Sequence, residues 1–165
     1  MLLTVDIGNT NITFGVFEGK RLITTFRMNT IQTRTSDEYG MVMCELLEHN
    51  QVPVATISDV IIASVVPNVM YSLTSAIIKY FHTRPIIIET GIKTGIRVVS
   101  KNPRQVGADR IVDAAAAYEL YGGPAIVVDY GTATTFDLID ADGAFTACVI
   151  APGIRTSAQS LWSMA

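Results

Sequence analysis

Two stretches of this 165-residue chain follow one pattern: "LLTVDIGNTNITFGV" at residues 2–16 and "AIVVDYGTATTFDLI" at residues 125–139. Each is an apolar run, an Asp, any residue, a Gly, small hydroxyl or amide residues, and then an alternating run. An apolar run of this length predicts a buried strand, Asp-x-Gly a tight turn, and the alternation a half-buried return strand. One such turn is an ordinary hairpin. Two of them, each leaving a buried strand, can face each other across a cleft between two lobes. There, backbone N–H groups and hydroxyls hold phosphate oxygens, and each Asp places a carboxylate where a cation must sit. Gly8 and Gly131 remove the Cβ that would keep the backbone away from a phosphate.

The remaining pattern fits an α/β chain. Strands are predicted at Leu2–Asp6, Ile12–Phe17 and Leu22–Met28, followed by a helix capped by Ser36 with Tyr39, Val42, Met43, Leu46 and Leu47 on one face. "VIIASVV" (60–66) is a continuous apolar strand stopped by Pro67, and Asn68 is placed to cap a helix with Val69, Leu73, Ala76, Ile77 and Tyr80 inward. "PIIIET" (85–90) predicts another strand, and 105–122 a strong helix. Continuous apolar strands alternating with helices imply a sheet covered on both faces. Gly122-Gly123-Pro124 is the expected boundary, giving a first lobe at 1–122 and the start of a second at 123–165. The second meander is expected as a strand to Asp129, then 134–140 and 144–150, with a helix from Ser157 onward. No helices and strands then follow to match those of the first lobe, so the second lobe is expected to be truncated.

Charge and composition exclude several classes. With 12 Lys and Arg against 15 Asp and Glu, the net charge is −3, so there is no basic field for nucleic acid or an anionic membrane. The N-terminus lacks a cationic leader, and no apolar run approaches the roughly 18 residues of a spanning helix, so a cytoplasmic location is expected. Cys44 and Cys148 have neither metal-ligand nor disulfide spacing, and both read as small core residues. No P-loop is present, since Gly19-Lys20 runs into Arg21, and no G-x-G-x-x-G follows a strand. His49 and His82 lie in no catalytic motif.

The third informative stretch is "NPRQVGADRIVDA" (102–114). Gly-Ala-Asp-Arg opening a helix offers free backbone N–H groups, a guanidinium fork for an anion, and a carboxylate held by the helix. Moving a γ-phosphoryl group to a hydroxyl needs contacts on the phosphates and a carboxylate to accept the hydroxyl proton. Asp109 can supply that carboxylate, and Arg110 can orient an acidic acceptor.

With "DIGNTN", "GADR", "DYGTATT" and "APGI", joined by "FRM" (26–28), "TSDEYG" (35–40) and "ASVVP" (63–67), the chain resembles the type III pantothenate kinases over essentially its whole length. These belong to the acetate and sugar kinase/actin-like superfamily. The resemblance implies duplicated ribonuclease-H-like lobes and ATP-dependent phosphorylation of pantothenate to 4′-phosphopantothenate, the first step of coenzyme A synthesis. It also implies Mg²⁺, a monovalent K⁺ or NH₄⁺, and a homodimer. It assigns Asp6, Ile7, Gly8, Asn9, Thr10, Asn11, Ile12 and Thr13 to the ATP phosphates, with Asp6 near Mg²⁺ directly or through water. Gly131 and Thr132 join them from the second turn. Gly107, Ala108, Asp109 and Arg110 are implied to bind pantothenate, with Asp109 the general base, and Asp129 to hold the monovalent cation. The chain departs from the family at Ser100, where a Tyr is common, and at Ala147-Cys148, where Gly-Gly is common and packing behind the cleft is expected to change. The alternative reading is a noncatalytic nucleotide-binding protein, or fragment, on the same fold.

Overall fold

The computed structural model describes residues 1–89, 92–99 and 102–164; Ser100 therefore lies outside the described residues. The chain divides into two compact units, Met1–Glu89 and Thr90–Ala165.

In the first unit, strands β1 (Leu2–Ile7), β2 (Asn11–Glu18) and β3 (Arg21–Asn29) form an antiparallel meander. Helix α1 (Ser36–His49) leads to β4 (Asp59–Ser64), and α2 (Pro67–Phe81) to a short β5 (Ile86–Ile87). β4 lies parallel to β1 and β5 parallel to β4, giving the order β3-β2-β1-β4-β5. Alternation places Leu3, Val5 and Ile7 of β1 in the core, where they meet Phe14 and Val16 of β2, Ile62 of β4, and the inward faces of both helices. Phe14 and Phe26 stack with ring centroids 5.0 Å apart.

Three local readings are corrected. The N-cap of α1 is Thr35, not Ser36: its hydroxyl accepts from the Glu38 amide, and the Glu38 carboxylate accepts from the Thr35 amide, a complete capping box. Asn68 does not cap α2; Pro67 occupies the first turn, where its missing N–H costs nothing, and the Asn68 amide donates to Gln32 instead. Among the described residues of the run expected at 85–90, the strand spans just Ile86–Ile87, at the edge of the sheet, where Ile86 is exposed.

Helices α1 and α2 approach closely at Gly40. A Cβ there would lie 2.2 Å from the Tyr80 ring, and that ring is pinned by its hydroxyl donating to Asp37 at 2.8 Å. Alanine in a helix normally gains up to about 1 kcal/mol over glycine, but overpacking costs about 1–3 kcal/mol. Gly40→Ala is therefore expected to lower the thermal midpoint, read by circular dichroism. A midpoint at or above that of the parent would show that Tyr80 swings aside freely.

In the second unit, β6 (Arg97–Val98) is followed by a 3₁₀ turn at Pro103–Gln105 and helix α3 (Ala108–Tyr121). Strands β7 (Ala125–Tyr130), β8 (Ala133–Ile139) and β9 (Ala144–Pro152) form a second antiparallel meander, and α4 (Ile154–Met164) follows. The sheet order is β6-β9-β8-β7, with β6 parallel to β9. Helix α3 begins three residues later than the pattern suggested, and α4 begins at Ile154 rather than Ser157. Gly122–Pro124, expected as a lobe boundary, lies inside the second unit as the turn from α3 into β7. Ala114, Ala117 and Tyr118 of α3 pack against Val127, Ile139 and Phe145.

The face of β8 under α3 is partly polar. Thr135, Asp137 and Ile139 are buried there, while Phe136 and Leu138 are on the other face and partly exposed with Ile126 and Val128 of β7. No helix among the described residues is long and apolar enough to cross a membrane.

Candidate functional site

The first Asp-x-Gly turn joins β1 to β2. The Gly8 amide donates to the Asn11 carbonyl at 3.0 Å, closing the loop. Thr30, just past β3, fastens it from one side: its hydroxyl donates to the Gly8 carbonyl at 2.7 Å and its amide to the Thr10 carbonyl at 2.9 Å. Asp6 lies directly opposite Thr13, and the side chains of Asp6, Asn9, Thr10 and Thr13 are exposed. Ile7 and Ile12 are fully buried. Within the run 6–13 these two can offer a ligand only their backbone, and their side chains anchor the loop in the core.

The second turn, between β7 and β8, is one residue shorter: Asp129 lies opposite Thr135, and the Gly131 amide donates to the Ala133 carbonyl at 2.9 Å. Gly131 and Thr132 are exposed. The start of α4 clasps this turn. The Gly153 amide and the Thr156 hydroxyl both donate to the Thr132 carbonyl, at 3.1 and 3.0 Å. A Cβ at Gly153 would fall 2.4 Å from the Gly131 carbonyl oxygen, so only glycine permits the approach. The "PG" of "APGI" thus has a structural role that the sequence did not reveal. The unsatisfied amides of the first turn of a helix lie beside the turn, an arrangement suited to an anion.

Helix α3 brings the third element to the same sheet. Gly107 is its N-cap, Ala108 its first residue, and the Asp109 carboxylate accepts from the Arg110 amide at 2.7 Å. The Arg110 side chain is largely withdrawn from solvent. It turns inward, 8% exposed, to meet Asp137 of β8, 2% exposed, and its charge lies 5.7 Å from the centre of the Phe145 ring. The Asp137 bond holds the guanidinium still more firmly protonated than usual.

Asp129 sits across from Thr135 on the same face. Partial burial pushes its carboxyl above the usual range, and the neighbouring negative charges of Asp109 and Asp137 add to the effect. The Thr135 hydroxyl is buried without a hydrogen-bond partner. A cavity of about 420 Å³ opens beside Arg110, lined also by Asn102, Gln105, Val106, Thr146 and Cys148. Cys148, expected in the core, is exposed on this wall, because its register opposite Asp137 turns it toward the cavity. Ala147 lines the cavity as well, so the Ala147-Cys148 departure bears on the pocket rather than on packing behind it. Among the described residues, no group of three or more His, Cys, Asp or Glu side chains is placed to hold a metal ion.

Sequence reasoning missed Asp137 and Gly153. The signal for Asp137 was a carboxylate in strand register with Thr135 and Ile139. For Gly153, it was a glycine placed directly before a helix and after an apolar strand.

Each unit carries a β-meander closed by an Asp-x-Gly turn, and solved structures share the architecture. A Campylobacter jejuni protein assigned to the Baf family of transcriptional activators superposes with a TM-score of 0.59 at 23% identity, covering 99% of this chain and 60% of that one. Ethanolamine utilization protein EutJ from Carboxydothermus hydrogenoformans does so with a TM-score of 0.54 at 15% identity, covering 99% and 57%. The chain thus has an actin-like α/β fold, shared with these structures. The sequence profile of type III pantothenate kinase matches residues 2–165, and a curated type III pantothenate kinase from Agathobacter rectalis is 61% identical over 162 residues. The chain belongs to the type III pantothenate kinase family. It covers 62% of the length of that curated relative, which in turn accounts for 98% of this chain.

Proposed function

We propose that this chain supplies the nucleotide-binding and acceptor-binding residues for ATP-dependent phosphorylation of pantothenate to 4′-phosphopantothenate, the first step of coenzyme A biosynthesis. The observation that carries this reading is the start of α3, where Asp109 directly precedes a buried Arg110 that lines a ligand-sized cavity.

Asp6, Gly8, Asn9, Thr10, Asn11 and Thr13, with the backbones of Ile7 and Ile12, are assigned to the ATP phosphates, and Gly131 and Thr132 to the same group. The acceptor's terminal hydroxyl attacks the γ-phosphorus. The bond from phosphorus to the β,γ-bridging oxygen breaks, ADP leaves, and the hydroxyl proton passes to the Asp109 carboxylate. Because the Asp109 Oδ1 is tied to the Arg110 amide, the carboxylate keeps one orientation as it takes that proton. Gly107 and Ala108 bring the backbone close to the acceptor, and Arg110 orients its carboxylate.

Asp129 is assigned to a monovalent cation, K⁺ or NH₄⁺, and Asp6 to Mg²⁺, directly or through water. Around Asp129 the donors fit a hard cation: they are oxygens, carboxylate charge is in excess, and the Thr135 hydroxyl lacks a partner. Bound there, the cation supplies positive charge beside the transferring phosphoryl group. Its binding free energy also adds to folded-state stability, about 1.4 kcal/mol at ten times its Kd. Replacing Na⁺ by K⁺ at constant ionic strength is therefore expected to raise the thermal midpoint by a few degrees, and Asp129→Asn to abolish the increment. An increment retained in Asp129→Asn would place the cation elsewhere.

The protein is proposed to act as a cytoplasmic homodimer, with ATP and pantothenate as its ligands and neither nucleic acid nor membrane. Mass-spectrometric detection of phosphopantothenate after incubation with ATP, Mg²⁺ and pantothenate, in K⁺ and in Na⁺ buffer, tests the reading. Product that depends on K⁺ supports it; nucleotide binding without product in either buffer favours a noncatalytic role.

A further inference from the structure

The ion pair between Arg110 and Asp137 is more than a structural contact. Two parallel N–H groups of the guanidinium meet the two carboxylate oxygens: Nε donates to Oδ2 at 3.1 Å, and Nη2 donates to Oδ1. Such a fork fixes the plane of the guanidinium, not merely its position. Nη1 is the nitrogen outside the fork, and Arg110 lines the cavity of about 420 Å³. Removing two charges from water costs several kcal/mol per ion, and apolar residues of the same volume usually stabilise a core at least as well. Stability alone therefore does not account for a largely desolvated pair on the wall of a cavity.

We propose that Asp137 is a positioning residue: it locks the Arg110 guanidinium so that the nitrogen outside the fork addresses the carboxylate of the acceptor. This rests on the reading of the cavity as the acceptor site. An Arg already paired with one carboxylate has little net charge to attract a second from a distance. Its contribution to a second carboxylate depends on direction, since an N–H···O bond weakens steeply as it bends. Asp137 thus acts as a specificity element. It favours an acceptor with a carboxylate in one place over an otherwise identical neutral molecule, and it touches neither the acceptor nor the phosphoryl group.

The test measures KM and kcat for pantothenate and for its neutral analogue, in which a hydroxymethyl group replaces the carboxylate. Hydrogen bonds to charged groups contribute about 1.5–3 kcal/mol, or roughly 10- to 100-fold in binding. In Asp137→Asn the KM for pantothenate is expected to rise by about tenfold or more. The kcat should change by less than about threefold, and the KM for the analogue should stay near that of the parent. A merely structural role would move both acceptors together, and that result, or an unchanged KM for pantothenate, overturns the proposal. Should Asp137→Asn fail to unfold cooperatively, Asp137→Glu keeps the charge and misaligns the fork. It is expected to raise the KM for pantothenate alone by a smaller factor, and a parental value overturns the proposal equally.

The double variant Arg110→Met/Asp137→Leu separates the two levels of the argument, because it removes both charges and keeps an apolar fill. If it leaves the KM for pantothenate unchanged, Arg110 does not hold the acceptor, and the reading of the cavity fails along with the proposal. If it raises that KM while Asp137→Asn does not, the cavity reading stands and only the positioning role falls.

Discussion

Asp109→Asn is expected to reduce kcat by about 10²- to 10⁴-fold, the range supplied by a positioned general base, while ATP binding measured by calorimetry stays within about twofold of the parent. The substitution is nearly isosteric. Its amide oxygen can still accept from the Arg110 amide, as the Asp109 carboxylate does at 2.7 Å, so the start of α3 has no reason to rearrange. What disappears is the ability to take the hydroxyl proton as the bond to phosphorus forms. The side chains assigned to the nucleotide lie on the turns at 6–13 and 131–132, so nucleotide affinity should be spared. Near-normal turnover in Asp109→Asn would remove it as the base and leave it as a helix-start residue. A parallel loss of ATP affinity would mean that its charge organises the phosphate site.

Gly153→Ala is the second large effect expected. The added Cβ would lie 2.4 Å from the Gly131 carbonyl oxygen and 2.5 Å from that of Thr132, and both are backbone atoms that cannot rotate away. Either the first turn of α4 lifts off, losing the Gly153 and Thr156 bonds to Thr132, or the Gly131-Thr132 turn is displaced. Both routes disturb the loop assigned to the phosphates. The expected result is a rise of at least about tenfold in KM for ATP, with stability reduced by about 1–3 kcal/mol as for other overpacked sites. Gly8→Ala provides the contrast. Its Cβ meets one oxygen, that of Asn11, at 3.3 Å, a contact relieved by a few tenths of an ångström. Its effect on KM for ATP should be several-fold smaller. Equal effects at the two positions would show that close approach of α4 does not govern the second turn.

The parts of this molecule legible in the sequence are those where one local signal dominates. The apolar run at Leu2–Asp6 and the alternation in "NITFGVF" matched β1 and β2 to within a residue or two, and 3.6-residue periodicity placed Tyr39, Met43 and Leu47 inward on α1. The Asp-x-Gly turns and the helix opening at Gly107 are local features too. Where two neighbouring residues compete for one role, the sequence was ambiguous: Thr35 and Ser36 can each cap α1, and only the spacing to Glu38 selects Thr35. What depends on tertiary contacts was not legible. β8 buries Asp137 and leaves Leu138 partly exposed, which reverses the usual inference from hydrophobicity, because the partner that makes Asp137 buriable is Arg110, 27 residues earlier. Cys148 reads as core for the same reason, and faces a cavity that no local pattern announces.

The first unit closes its core within residues 1–89: β1 is already flanked by β2 and β4, and both helices are packed, before the chain reaches Thr90. At a ribosomal pace of roughly 5–20 residues per second, the stretch from Thr90 to Ala165 takes several seconds to appear. A mixed α/β unit of this size folds well within that time. The loop that Thr30 staples is therefore in place while the second turn is still being synthesised. Nascent chains of this protein should accordingly become protease-resistant over their N-terminal half first, before the later meander is complete.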